Sequence, residues 1–265
     1  MSRLSRVFNG AGPRSEPRLV TYVTAGDPDL ATSASILRAL ARGGADVIEV
    51  GVPFSDPIAD GPAIQRASER ALAAGADLAG ALDLVADVRG DLDVPIVLFT
   101  YVNPVFRMGA GEFVARAASA GVDAVLLLDL PIEEAHDMRS TLDASGLDQI
   151  FLVSPTTTEA RLKTAGELGR GFLYAISRLG VTGARTSVAE SAAPLVTRIR
   201  AATSMPVALG FGISTPEHVR EVTAFADAAV VGSAIVQKIA DASAGKRDVA
   251  ADVEHFVGWL KGRWR

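Results

Sequence analysis

Short apolar runs alternate with longer amphipathic segments along this chain, and together they form eight pairs. The short runs are rich in Val, Ile, Leu and aromatic residues, which is typical of parallel strands that are buried on both faces. They predict eight strands, at Leu19–Thr24, Val47–Val50, Ile96–Tyr101, Ala124–Leu128, Ile150–Val153, Phe172–Ile176, Val207–Leu209 and Ala228–Val231.

The longer segments have the spacing of amphipathic helices. Residues Leu30–Arg42, for example, place Ile36, Leu37 and Leu40 on one face. Comparable segments predict helices at Glu112–Ala120 and Pro216–Phe225, with a short additional helix at Ser2–Phe8 and a last one at Val249–Trp264.

Eight successive strand–helix pairs favour a closed parallel barrel over a doubly wound open sheet, which usually has fewer strands. The turn after the first strand, residues 25–28, reads Ala-Gly-Asp-Pro and is not a dinucleotide-binding fingerprint. No linker or second compositional regime interrupts the pattern. We therefore predict an α/β fold, a single (β/α)₈ TIM-barrel domain over residues 1–265 with an extra N-terminal helix and a C-terminal helix.

The composition allows a large core, because 49% of the residues are hydrophobic. The net charge of -5 argues against non-specific binding to nucleic acid or to an anionic membrane. The opening residues do not resemble a signal peptide and no apolar run reaches membrane-spanning length, so we expect a cytoplasmic protein. The chain contains no cysteine, which excludes disulfides, thiolate chemistry and Cys-based zinc sites.

The active site of such a barrel lies at the carboxyl ends of its strands. The lysines and histidines of this chain fall instead on predicted helices or near the C-terminus. A Schiff-base mechanism therefore has no candidate nucleophile, and a transition-metal site is not favoured. Proton transfer is expected to depend on carboxylates or tyrosines.

Glu49 is the sharpest candidate for that chemistry, because it is a charged residue inside the apolar run Val47–Val50. A carboxyl group that points into the barrel mouth has its pKa raised by desolvation, which suits an acid/base near neutral pH. The alternative is an outward-facing residue paired with an arginine on a covering helix. Asp56 and Asp60 share the loop after the second strand, where aspartate usually makes turns or caps, and Asp129 likewise indicates a helix cap.

Glycine clusters follow the sixth, seventh and eighth strands, at Gly183, Gly210–Gly212 and Gly232–Ser233. Backbone amides at these turns, together with a helix N-terminus, form the usual phosphate pocket of this fold. Turn geometry without a ligand is the alternative, but three such clusters on successive strands favour phosphate. The residues alone thus indicate a barrel enzyme with a phosphorylated substrate and carboxylate acid/base groups, a description that several isomerases and lyases would fit.

The stretch from Glu49 to Gln65 resembles the signature of the tryptophan synthase alpha chain family. The likeness continues in order through residues 23–28, 129–131, 155–158, 180–183, 210–214 and 231–236, so it covers nearly the whole chain. A match of this length is far more specific than a lone glycine motif. It implies a carbon–carbon lyase of tryptophan biosynthesis that splits indole-3-glycerol phosphate into indole and glyceraldehyde 3-phosphate.

The resemblance implies roles for the matched polar residues. Glu49 would be the general acid/base, protonating indole C3 and then helping to deprotonate the adjacent glycerol hydroxyl. Asp60 would accept a hydrogen bond from the indole N–H and stabilise the developing positive charge, so one carboxyl group is protonated when the other is ionised. The phosphate-binding positions would be Gly183, Phe211, Gly212, Gly232 and Ser233.

The resemblance also implies what surrounds the substrate. Tyr174 would lie beside Glu49, and residues Arg178–Ala192 would form a mobile lid in which Thr182 meets Asp60 on closure. The indole slot would be lined by Tyr22, Ile64, Phe99, Leu126 and Leu128.

A partner subunit is implied as well. Pro53, Asp56 and Asn103 would lie on loops that face the β subunit of an α2β2 heterotetramer, to which indole would pass. Pyridoxal phosphate would be bound in that subunit only, and this chain is expected to hold neither a cofactor nor a metal.

Two departures from the family pattern bear on selectivity. Tyr22 stands where phenylalanine is frequent, and a second aromatic residue expected beside Tyr101 is missing. Both positions lie near the pocket or the subunit contact, and neither has a proton-transfer role.

Four alternatives remain open. A self-sufficient indole-releasing lyase would use the same catalytic residues. A non-catalytic binding subunit is disfavoured by the presence of both Glu49 and Asp60, and a phosphosugar isomerase by the lack of a Lys or His at a strand end. A magnesium site is also disfavoured, because the available aspartates, Asp27, Asp56 and Asp129, lie on separate loops.

Overall fold

The structure is a computed structural model that describes residues 2–8, 16–176, 188–210 and 212–264, without the side chains of residues 188–191. Its eight parallel strands pair in sequence order and close into a barrel, β1 pairing with both β2 and β8. The predicted TIM barrel is therefore confirmed. The strands are β1 (Leu19–Thr24), β2 (Val47–Gly51), β3 (Ile96–Thr100), β4 (Ala124–Leu127), β5 (Asp148–Val153), β6 (Leu173–Ile176), β7 (Val207–Gly210) and β8 (Ala228–Val231).

Helices surround the barrel and follow its strands. They are α1 (Arg3–Phe8), α2 (Leu30–Gly43), α3 (Pro62–Ala73), α4 (Leu78–Arg89), α5 (Val102–Met108), α6 (Ala110–Ala120), α7 (His136–Ala144), α8 (Glu159–Leu168), α9 (Val188–Ala202), α10 (Pro216–Thr223), α11 (Ser233–Ala244) and α12 (Val249–Leu260), with a 3₁₀ turn at Ile132–Glu134. Within the ranges described above, none of these helices is long and apolar enough to cross a membrane.

The last helix ends earlier than its hydrophobic pattern suggests. The pattern predicted a helix to Trp264, but α12 ends at Leu260 and Gly262 adopts a left-handed φ of 77°. The Arg263 N–H then bonds back to the Gly258 carbonyl at 2.9 Å, a bond typical of a glycine-terminated helix. The apolar Trp264 therefore does not mark a continuing helix. Its ring folds back onto α12 and stacks on His255.

Side chains alternate between two apolar layers along each strand. On β2, Ile48 and Val50 pack outward against the helices, whereas Val47 belongs to the cluster inside the barrel. Because successive side chains of a strand point to opposite faces, Glu49 faces the barrel interior.

Helix α1 closes the end of the barrel where the strands begin. Its Leu4 and Phe8 join the inner cluster, and the Phe8 ring lies 5.2 Å from that of Phe172. Arg3 forms an ion pair with Asp123, just before β4. The inner cluster is thus covered by α1 at the end opposite to the loops after the strands.

Candidate active site

Glu49 is a fully buried carboxyl group inside the barrel. It is 0% exposed, and among the described residues neither carboxyl oxygen has a hydrogen-bond partner. Burial raises its pKa to about 8, so the group is mostly protonated at neutral pH. The alternative of an outward residue paired with an arginine does not fit this inward, unpaired position.

Two tyrosines flank Glu49 inside the barrel. Tyr22 is its register partner on β1, and Tyr174 lies on β6, close enough for the charge of Glu49 to act on its hydroxyl. Burial raises the pKa of both hydroxyls, and a charged Glu49 would raise it further, so both stay protonated. A side chain at Gly51 would collide with the Tyr22 hydroxyl, and one at Gly210 with that of Tyr174. The lack of a side chain at these two glycines leaves room for the two tyrosine hydroxyls. The sequence did not predict this role for Gly51, and the collision with Tyr22 reveals it.

Asp60 reaches the same region from the loop between β2 and α3. Its Oδ2 accepts a hydrogen bond of 3.0 Å from the Tyr101 hydroxyl, while Gly61 occupies the cap position of α3. The expected turn or capping role of the Asp60 side chain is therefore wrong. Burial raises its pKa to about 6, even though the bond from Tyr101 acts in the opposite direction. The carboxylate is therefore mostly ionised at neutral pH.

The other aspartates at this end of the barrel have different partners. Asp27 is buried and accepts two bonds of 2.8 Å from Arg70 on α3, and exposed Asp56 accepts one from Ser55. The prediction that Asp129 caps the helical segment after it is wrong: Pro131 occupies that cap position, and the Asp129 Oδ1 accepts instead from the first N–H of α5 at Val102 (2.7 Å), a helix that precedes it in sequence. In the part of the chain that the structure describes, no group of three or more His, Asp or Glu residues is arranged to hold a metal ion.

The predicted indole-slot residues belong to one apolar cluster. Tyr22, Phe99 and Leu126 are buried in it, and Ile64, Leu128 and Tyr174 pack against it half-buried. The rings of Tyr22 and Phe99 meet edge-on with centroids 5.2 Å apart, and those of Phe99 and Tyr174 are 6.3 Å apart. The cluster contains the flat, apolar walls that an indole ring would contact.

Gly232, which follows β8, lies beside this cluster. Gly212 has a left-handed φ of 70°, and Gly232 immediately precedes Ser233, the first residue of α11. The first N–H groups of a helix have no partner within it and favour an anion. A Cβ at Gly232 would lie 3.3 Å from that of Tyr22, so this helix start is adjacent to the slot. Thr182, Gly183 and Phe211 lie outside the described residues.

The predicted lid is only partly within the described residues. Residues 177–187 lie outside them, and helix α9 begins at Val188. The prediction of a loop as far as Ala192 is therefore wrong, because the last five residues of the segment are helical.

The residues predicted to face a partner differ in exposure. Asp56 and Asn103 are exposed, whereas Pro53 is buried. Asn103 lies in α5 and not on a loop, a correction that follows from the helix starting directly after β3. Nearby, Ile58 is 87% exposed and Phe106 63%, two large apolar side chains that the sequence pattern did not single out.

Known proteins resemble this chain over nearly its full length. The family model described as tryptophan synthase alpha chain matches residues 8–264. The tryptophan synthase alpha chain of Geotalea uraniireducens is 52% identical over 237 residues, 89% of each chain, and that of Methanosarcina mazei is 49% identical over 260 residues, 98% of this chain and 93% of its relative.

Solved structures agree with the sequence matches. Tryptophan synthase subunit alpha from Legionella pneumophila superposes with a TM-score of 0.91 at 34% identity, over 99% of this chain and 98% of that one. A chain from the tryptophan synthase a2b2 complex of Pyrococcus furiosus gives 0.87 at 38% identity, over 93% of this chain and 99% of that one. This chain belongs to the tryptophan synthase alpha chain family.

Proposed function

We propose that this chain cleaves indole-3-glycerol phosphate into indole and glyceraldehyde 3-phosphate, with Glu49 as general acid/base and Asp60 as the charge-stabilising carboxylate. The observation that carries the proposal is the difference between two nearby carboxyl groups beside an apolar slot. Glu49 has a pKa of about 8 and Asp60 of about 6, so near pH 7 one is mostly protonated while the other is mostly ionised. A retro-aldol cleavage at indole C3 needs this combination.

The first step moves one proton. Glu49 donates its proton to C3 of the indole ring, which becomes tetrahedral, and the ring nitrogen gains positive charge. The Asp60 carboxylate accepts a hydrogen bond from that N–H and stabilises the charge where it develops. Glu49 is left ionised in a buried position, which makes it a strong base for the next step.

The second step restores the enzyme. The glycerol hydroxyl on the carbon attached to C3 gives its proton to Glu49, and its oxygen forms the aldehyde carbonyl as the carbon–carbon bond breaks. The bonding electrons return to the ring, so neutral indole and glyceraldehyde 3-phosphate leave and Glu49 is protonated again.

The remaining residues would bind and orient the substrate. The indole ring would contact the apolar cluster of Tyr22, Phe99 and Leu126, and the phosphate would bind the backbone at Gly232 and Ser233, at the start of α11. Gly183, Phe211 and Gly212 would complete the phosphate site, and Thr182 would meet Asp60 on lid closure. We assign no cofactor to this chain.

We further propose a β subunit as partner, in an α2β2 assembly that holds pyridoxal phosphate in the β subunit. Ile58 and Phe106 lie near Asp56 and Asn103 in sequence, and both are exposed apolar side chains of the kind that such contacts bury. The structural neighbour from Pyrococcus furiosus is part of an a2b2 complex. We also propose that residues 1–265 form a single functional domain and that the protein is cytoplasmic.

The test is to incubate the purified chain with indole-3-glycerol phosphate, with and without a cognate β subunit, and to follow indole release. We expect slow release by the chain alone and much faster release with the partner. Equally fast release without a partner would favour the self-sufficient lyase. No indole in either sample would contradict the substrate assignment and return the isomerase to consideration.

A further inference from the structure

We propose that Tyr101 is a positioning residue that holds the Asp60 carboxylate in place and in its ionised form through one hydroxyl group. The inference rests on the proposed function for the role of Asp60 in turnover, but the contact itself can be tested without any reaction.

Tyr101 is anchored independently of Asp60. It is the residue between β3 and α5, its side chain is 3% exposed, and its ring packs against Phe54 with centroids 4.9 Å apart. The hydroxyl is thus held by the end of a barrel strand and by packing on Phe54, a residue of the same loop as Asp60, in a contact that does not involve the Asp60 side chain. A fixed donor that contacts a loop residue determines the position of the loop residue.

The hydroxyl makes two contacts with that loop, and their polarity can be assigned. The Ala59 backbone N–H donates to the Tyr101 oxygen at 3.0 Å, and the Tyr101 oxygen is 3.0 Å from Asp60 Oδ2. Because the amide can only donate, it uses a lone pair of the hydroxyl oxygen, and the single hydroxyl proton is left for Asp60. The carboxylate therefore accepts, and this bond favours its ionised form.

Asp60 needs such a donor because its other surroundings oppose ionisation. Three tyrosines face Asp60 from the barrel: Tyr22 on β1, Tyr101 after β3 and Tyr174 on β6. The charge of Glu49 on β2 also raises the pKa of Tyr22 and Tyr174. Burial raises the pKa of Asp60, and the bond from Tyr101 lowers it. Tyr101 keeps its proton, because burial and the charge of Asp60 raise its own pKa.

The decisive variant is Tyr101→Phe, which keeps the ring and removes the hydroxyl. The Asp60 carboxyl is titrated by ¹³C NMR in the full chain without substrate. We expect its pKa to rise by about one unit, a tenfold change in proton affinity. An unchanged Asp60 titration would overturn the proposal.

A matched control separates the hydroxyl from the ring. Phe54→Leu loosens the packing of Tyr101 but keeps its hydroxyl, so the pKa of Asp60 should rise much less than in Tyr101→Phe. An equal rise in both variants would indicate general loosening of the loop and would also overturn the proposal.

Turnover links the contact to function. Removing a hydrogen bond to a charged group should reduce kcat for indole release by about tenfold or more in Tyr101→Phe and move the acid limb of its pH profile upward. A parent-like kcat and acid limb would overturn the positioning role. If Asp60→Asn itself leaves indole release unchanged, the proposed role of Asp60 in turnover fails. The titration in Tyr101→Phe still decides whether Tyr101 controls the pKa of the Asp60 carboxyl.

Discussion

At the scale of single residues, burial sets the chemistry of this site. Glu49 and Asp60 are both carboxylic acids, but complete burial of the first and partial burial of the second, with a hydroxyl donor, separate their pKa values. The sequence predicted Glu49 because a charge interrupts an apolar strand. The local pattern did not separate Asp60 from Asp56 on the same loop; the family resemblance did, and the folded chain shows that Asp60 is the one that meets Tyr101.

The pH dependence of turnover follows from these two groups. Glu49 must be protonated to act as an acid, so kcat/KM should fall as pH rises through about 8. Asp60 must be ionised, so kcat/KM should fall as pH drops through about 6. We therefore expect a bell-shaped profile of kcat/KM, which reports the groups of the free enzyme, with its maximum near pH 7, measured by indole release at low substrate concentration.

The substrate phosphate, which titrates near 6, supplies the control for the acid limb. The residual activity of Asp60→Asn should lack that limb if Asp60 is responsible for it. An unchanged acid limb in the variant would assign the limb to the substrate instead.

At the scale of helices, strands and loops, the hydrophobic periodicity predicted all eight strands but not all of their ends. Strand β5 begins at Asp148 rather than at the predicted Ile150, because two polar residues pair with β4 at its start. Asp129 caps a helix that precedes it in sequence, so its partner depends on the neighbouring strand and could not be read from local spacing. Local patterns predict elements well, whereas contacts between loops need the closed barrel.

The ion pair between Asp27, on the loop after β1, and Arg70, on helix α3, offers a test at this scale. Asp27 is 1% exposed, and Arg70→Met would leave its charge buried without a partner. We expect the free energy of unfolding to drop by about 2–3 kcal/mol in urea denaturation.

The companion variant Asp27→Asn/Arg70→Met removes both charges. Its stability should lie closer to that of the parent chain than Arg70→Met does. Equal losses in the single and double variants would mean that an unpaired charge is not the cause.

At the scale of the whole molecule, the helix that closes the barrel and the residues of the proposed site lie at opposite ends of the barrel. Helix α1 covers the end where the strands begin, and Glu49, Asp60 and the apolar slot lie towards the other end, where loops can vary. The exposed side chains Ile58 and Phe106 lie at this functional end. The proposed partner surface is therefore close to the proposed site, and the loop after β2 carries residues of both.

Phe106→Asp tests the partner surface. An aromatic anchor replaced by a charge should weaken binding to a cognate β subunit by at least tenfold in calorimetry or light scattering. Indole release by the chain alone should stay near that of the parent chain. Ser140→Asp, which adds the same charge on exposed α7, should leave binding unchanged, and a similar loss in both variants would contradict the assignment of this surface.

The central claim is that the Glu49 carboxyl transfers the proton that starts carbon–carbon cleavage. The most direct measurement is indole release by Glu49→Gln at saturating indole-3-glycerol phosphate, with substrate binding measured on the same preparation. The account predicts that cleavage is abolished while binding survives, because glutamine fills the same space in the inner barrel but cannot donate and regain the proton. Turnover near that of the parent chain would contradict the account and remove Glu49 from the mechanism.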